Sequence, residues 1–84
     1  MVTVKLFGTL RLNTGVKELT AEADTIRALY PLVLAEIRKQ KPDSGITEKA
    51  LKSCLIAVNG KQATPQAKLR DGDMVYLFPA AAGG

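Results

Sequence analysis

Ile26, Leu29, Tyr30, Val33, Leu34 and Ile37 recur at i, i+3, i+4, i+7, i+8 and i+11. That spacing lays an apolar stripe along one face of a helix. It constrains the fold more than any other feature, because the remaining apolar residues fall in short runs. A helix with one apolar face must bury it, and the flanking runs offer a sheet to bury it on. Pro31 falls inside the stripe, where a proline costs roughly 3 kcal/mol. The stripe keeps phase across it. One bent helix is therefore expected, the alternative being a single turn ending near Tyr30 with a new helix starting at Pro31. Asp24 or Thr25 can cap its start.

Val2, Val4 and Leu6 alternate with Thr3, Lys5 and Phe7, which predicts a first strand ended by Gly8. Residues 10–15 read as a loop or a short turn of helix. Residues 16–21 predict a second strand, antiparallel to the first because the connection is short. The Lys-Pro-Asp-Ser-Gly run at 41–45 breaks the helix. Residues 46–53 are ambiguous, and a short helix capped by Ser44 or Thr47 fits them. Residues 54–58 form an apolar strand, followed by the turn signal Asn59-Gly60. Residues 61–64 suit a short edge strand stopped by Pro65. Leu69 is expected to anchor the next loop, residues 70–73 make a turn, and 74–78 form the last strand. The order predicts an α+β fold, a small mixed sheet with one main helix packed on one face. That is the arrangement of the ubiquitin-like β-grasp. The strand after the helix is expected to run parallel to the first, and the last strand to lie inside the sheet.

At 84 residues the chain is read as one domain over 1–78, with a flexible tail over 79–84. No apolar run approaches the ~20 residues of a membrane span, and the first residues lack signal-peptide character, so a cytoplasmic location is expected. Histidine is absent, which removes the commonest general base. The one cysteine, Cys54, stands at the head of an apolar strand and reads as a small core residue. The net charge of +4 is spread along the chain, and the four aromatic residues do not interleave with the basic ones. Nucleic-acid binding is therefore not expected. The positive balance suits an acidic protein partner.

The sequence ends Ala80-Ala81-Ala82-Gly83-Gly84, after Phe78-Pro79. Glycine has no Cβ, so a carboxylate on Gly83-Gly84 can enter a channel where a side chain would clash. The terminus itself is the expected site. Residues 79–84 span about 20 Å when extended. Phe7, Leu10 and Phe78 lie near the ends of two strands expected to be neighbours, and are candidates for an apolar docking patch. Arg11 is a candidate for an acidic group on a partner, and Pro79 for stiffening the start of the tail.

The segments Val4 to Arg11, Ala57-Val58-Asn59-Gly60, Leu69 to Val75 and Phe78 to Gly84 resemble the MoaD/ThiS family of sulfur carriers. The likeness runs nearly end to end. It is closest to the small subunit of molybdopterin synthase, through the Leu6-Phe7-Gly8 to Arg11 segment and the stretch between helix and Cys54. The resemblance implies that an ATP-using adenylyltransferase, related to ubiquitin-activating enzymes, adenylates Gly84. A sulfurtransferase or other persulfide donor then leaves a thiocarboxylate there. The sulfur would pass to a pterin precursor in a pocket of the molybdopterin synthase large subunit. The chain itself would hold no cofactor and would not be a catalyst on its own. The same ending occurs in carriers for thiamine, cysteine or homocysteine synthesis and in ubiquitin-like modifiers. A β-grasp binding module with an inert tail is a further reading.

Overall fold

Residues 1–79 are described by a computed structural model. The elements are β1 (Val2–Leu6), α1 (Gly8–Thr14), β2 (Glu18–Ala21), α2 (Ile26–Gln40), α3 (Glu48–Lys52), β3 (Leu55–Val58), β4 (Lys61–Ala63) and β5 (Met74–Phe78). The strands form one sheet in the order β2-β1-β5-β3-β4. This is the mixed α+β β-grasp arrangement expected from the sequence, with the last strand inside the sheet.

The stripe of α2 carries the core. Ile26, Leu29, Tyr30, Val33 and Ile37 are buried, and they meet Val2, Val4, Leu6, Leu19, Ile56, Val75 and Leu77 from the sheet. Full burial of each aliphatic side chain contributes roughly 1.5–3 kcal/mol. Pro31 lies within one continuous α2, on its solvent side. Its missing N–H leaves the carbonyl of exposed Arg27 to water, so the lost hydrogen bond is replaced there rather than left buried.

Thr25, in extended conformation, caps α2 by accepting from the Ala28 N–H at 3.1 Å. The loop before β5 completes the cap. The Ile26 N–H donates to the Ala67 carbonyl at 3.1 Å and the Arg27 N–H to the Pro65 carbonyl at 2.9 Å. First-turn donors of the helix are thereby satisfied. Arg38 and Lys39 in the last turn oppose the negative end of the dipole. Thr47 caps α3 in the same way as Thr25 caps α2, accepting from the Ala50 N–H at 3.2 Å.

One open expectation is settled and one changes. Residues 8–14 form a helix, α1, closed by Gly15 at φ +70°. Thr14 is buried and turns its hydroxyl back to the Leu10 carbonyl at 2.8 Å. The strand after α2 does not return parallel to β1. β5 runs parallel to β1, and β3 runs antiparallel to β5. β3 is thus parallel to β2, the strand from which the chain entered α2. A helical crossover restores the direction of the strand it leaves, and here that strand is β2.

Candidate functional site

The helix covers one face of the sheet, so the period-two alternation sends a second set of side chains to the open face. On β1 these are Thr3 and Lys5, with Phe7 just beyond the strand. On β5 they are Met74, Tyr76 and Phe78, and on β3 Leu55 and Ala57. The register sets Lys5 beside Tyr76 and Leu55 beside Phe78. Phe7 and Phe78 stack with ring centroids 4.7 Å apart, and Phe7 meets Tyr76 at 5.7 Å. Such offset pairs are favourable beyond the area they bury. Phe78 remains 39% exposed and Leu55 55%. An apolar strip therefore crosses β1, β5 and β3 at one end of the open face. Large contiguous apolar patches mark interaction surfaces, and this strip is the candidate for one here.

The same end of the sheet launches the C-terminal segment. The Phe7 N–H donates to the Leu77 carbonyl at 3.2 Å. Gly8 follows at φ +59°, and a Cβ placed there would lie 3.3 Å from Pro79 Cγ. Half-buried Pro79 thus packs over a position that needs glycine both for its backbone angle and for the close approach. The start of the tail is fixed against the β1–α1 junction.

β5 is held equally firmly at its entry. Asp73 accepts from the Arg70 N–H at 2.8 Å and from Asn59 Nδ2 at 2.9 Å, while Asn59 Oδ1 accepts from the Met74 N–H at 2.9 Å. The Arg70 N–H first, and the Asn59 amide second, hold the Asp73 carboxyl below the usual carboxylate range.

Among the residues singled out in the sequence, Phe7, Phe78 and Pro79 come together. Arg11 is exposed on α1, one turn beyond Phe7, its N–H directed at the Phe7 carbonyl. Leu10 does not join the patch. It is 6% exposed, because helical winding after Gly8 turns it into the core. Gly83 and Gly84, and the tail from residue 80 onward, lie outside the described residues. The sequence reading missed Tyr76, Leu55 and the pairing of Gly8 with Pro79. Tyr76 was recoverable, since it stands two residues before Phe78 on one strand face. Leu55 required the β3–β5 register.

Cys54 is buried, its Sγ 3.4 Å from the Ala50 carbonyl, and burial pushes its thiol pKa up. A thiol held protonated is a weak nucleophile. Among the described residues, no group of three or more Cys, Asp or Glu side chains is placed to hold a metal ion. No described helix is long and apolar enough to cross a membrane.

The sequence profile of the ThiS family matches residues 4–84. The chain belongs to the ThiS family. This is a family of ubiquitin-like sulfur carriers, and its solved relatives share the fold described above. A putative molybdopterin converting factor subunit 1 from Pyrococcus furiosus is 32% identical, with a TM-score of 0.61 over 95% of this chain and 97% of that one. Molybdopterin-converting factor from Helicobacter pylori, solved as a complex of subunits 1 and 2, gives 25% identity and a TM-score of 0.63, covering 99% and 97%. Mycobacterium tuberculosis CysO gives 26% identity and a TM-score of 0.66, covering 96% and 100%. No curated protein sequence matches this ThiS-family chain. At least one relative of the fold thus works with a second protein, as the Helicobacter complex demonstrates.

Proposed function

We propose that this ThiS-family chain carries sulfur as a C-terminal thiocarboxylate and delivers it in molybdopterin synthesis, as the small subunit of the synthase. One observation carries the reading. The central strand β5, paired on both sides, leads through Pro79 into the segment ending Gly83-Gly84, beside an exposed aromatic strip. A rigid base, a docking surface and a slim terminus are what such a carrier needs.

A carboxylate is a poor acyl donor, because its charge repels nucleophiles and oxide leaves badly. Attack of the Gly84 carboxylate on the α-phosphorus of ATP, with loss of pyrophosphate, makes AMP a good leaving group. A persulfide sulfur then displaces AMP. Cleavage of the resulting S–S bond by a second thiol leaves the thiocarboxylate on Gly84. ATP belongs to the adenylating partner, and the persulfide to a sulfurtransferase. Phe7, Phe78 and Pro79, with Tyr76 and Leu55, form the docking surface, and Arg11 flanks it. Leu10 supports it from the core. The large subunit supplies acid and base groups, which suits a chain without histidine. Holding the sulfur on an inserted tail makes its transfer effectively intramolecular. The cytoplasm, where ATP and reduced thiols coexist, is the compartment for this chemistry.

The likeness to subunit 1 of two molybdopterin-converting factors supports the acceptor assigned here. The likeness to CysO supports a second reading, with the same end-group chemistry serving thiamine, cysteine or homocysteine synthesis. Intact-mass analysis after incubation with ATP, the adenylating enzyme and a persulfide donor tests the proposal. The expected result is a gain equal to sulfur replacing oxygen, lost when Gly84 is deleted. Transfer of that sulfur to a pterin precursor supports the first reading, and transfer to another acceptor supports the second. Lysine adducts at high mass would make the chain a modifier instead, and an unchanged mass would leave only an inert tail.

A further inference from the structure

The open face is not uniformly apolar. On its β2 side, next to the aromatic strip, lies a hollow of about 480 Å³ lined by Lys5, Phe7, Arg11, Lys17, Glu18 and Tyr76. Three different local structures bring its cations together. Lys5 stands on β1 between Glu18 and Tyr76 in the strand register. Lys17 precedes β2, placed there by the hydrogen bond from the Leu6 N–H to its carbonyl at 2.9 Å. Arg11 reaches the hollow from the last turn of the short helix α1.

The charges do not cancel. Lys5 Nζ is 3.9 Å from Glu18 Oε1, a long and half-exposed contact. Arg11 and Lys17 form no ion pair with a described residue. Three cations face one carboxylate, on walls made partly of aromatic rings. Charge held in a concave site with apolar walls reaches further than charge on a flat surface.

We propose that this hollow receives an acidic segment of the adenylating enzyme, at least one Asp or Glu side chain entering between Arg11 and Lys17. The inference rests on the sulfur-carrier reading and adds the partner's chemistry and direction. Apolar groups of the partner cover Phe78 and Leu55 towards β3, while its acid lies towards β2. The apolar strip alone is ambiguous in direction, and the one-sided charge fixes it. Electrostatic complementarity of this kind acts mostly on encounter rate and register. Ordering the terminal segment for reaction is then favoured by contacts made on the globule.

Adenylation kinetics, with the adenylating enzyme of the same organism and intact carrier, test it. In the double variant R11E/K17E the carrier's KM should rise about ten-fold, with the loss falling on KM rather than kcat. The difference should shrink several-fold at about 1 M salt, where the screening length falls to roughly 3 Å. Lys17→Arg should restore wild-type behaviour at that position. R38E/K39E, a double reversal in the last turn of α2 that changes the net charge by the same amount, should leave KM unchanged and so excludes a net-charge effect. A KM unaffected by R11E/K17E in a folded variant, or a rise that salt does not reduce, overturns the acidic-segment inference while leaving the carrier reading intact. Wild-type carrier that is never adenylated overturns both.

Discussion

At the scale of single residues, Gly8 ties the fold to the proposed chemistry. Its φ of +59° strains any side chain, and a Cβ 3.3 Å from Pro79 Cγ would require the proline to give by a few tenths of an ångström. Gly8→Ala is expected to cost about 1–2 kcal/mol in denaturant unfolding and to shift the start of the tail. Adenylation should then fall by more than the loss of folded protein explains. The sequence showed a glycine ending a strand but not its contact with Pro79, which lies 71 positions away in the chain. Asp73 gives a second residue-scale test. Its pKa is lowered in the fold by the Arg70 N–H and the Asn59 amide, so its stabilisation is complete above the ordinary carboxylate pKa. It is lost as pH falls through the lowered value, below about pH 4. Thermal melts should show Asp73→Asn less stable than the parent near neutrality, with the gap closing in acid. A constant gap across pH would assign the effect to geometry alone.

At the scale of elements, what was legible depended on how far each signal extends along the chain. The stripe from Ile26 to Ile37 spans three turns and defined α2 even across Pro31. The strands were legible from alternation, and the Asn59-Gly60 turn from its residues, with φ of +52° and +87°. α1 is seven residues long and buries only Leu10 and Thr14, too short a segment for periodicity to speak. Reading residues 10–15 as a loop or a short turn of helix left the direction of Leu10 open, and its place near the strand ends made it a candidate for the docking patch. Strand direction was also beyond local pattern, because β1 finds its parallel partner in β5 at the other end of the chain. Pro31 offers the element-scale prediction. It is exposed and lies past the first turn, so its cost comes from the missing N–H and ring crowding. Pro31→Ala should stabilise the domain by about 2 kcal/mol, less than the full interior penalty because alanine also frees the unfolded chain. Chemical denaturation measures it, and sulfur loading should not change.

At the scale of the whole molecule, one five-stranded sheet separates two duties. Its helix-covered face holds the core, and its open face holds the aromatic strip and the cationic hollow. With principal extents of 31 × 29 × 18 Å, the body is thin along one direction, so both faces lie close to the same strand, β5. Neighbouring residues on that strand therefore face opposite sides of the sheet, and substitution should separate the core from the proposed docking surface. Leu77 is buried and Phe78 is exposed. Leu77→Ala removes core volume and is expected to cost about 2–5 kcal/mol, lowering the melting temperature before any effect on docking. Phe78→Asp places a charge on the open surface and gives up the stack on Phe7, a loss of about 0.5–1.5 kcal/mol beyond the buried area. Its melting temperature should fall by less than that of Leu77→Ala. Its adenylation should fail, because the carboxylate opposes the apolar contact and the acidic segment expected beside it. If Phe78→Asp were adenylated as fast as the parent, the open face would not be the docking surface, and the partner would have to grip the carrier by its tail alone.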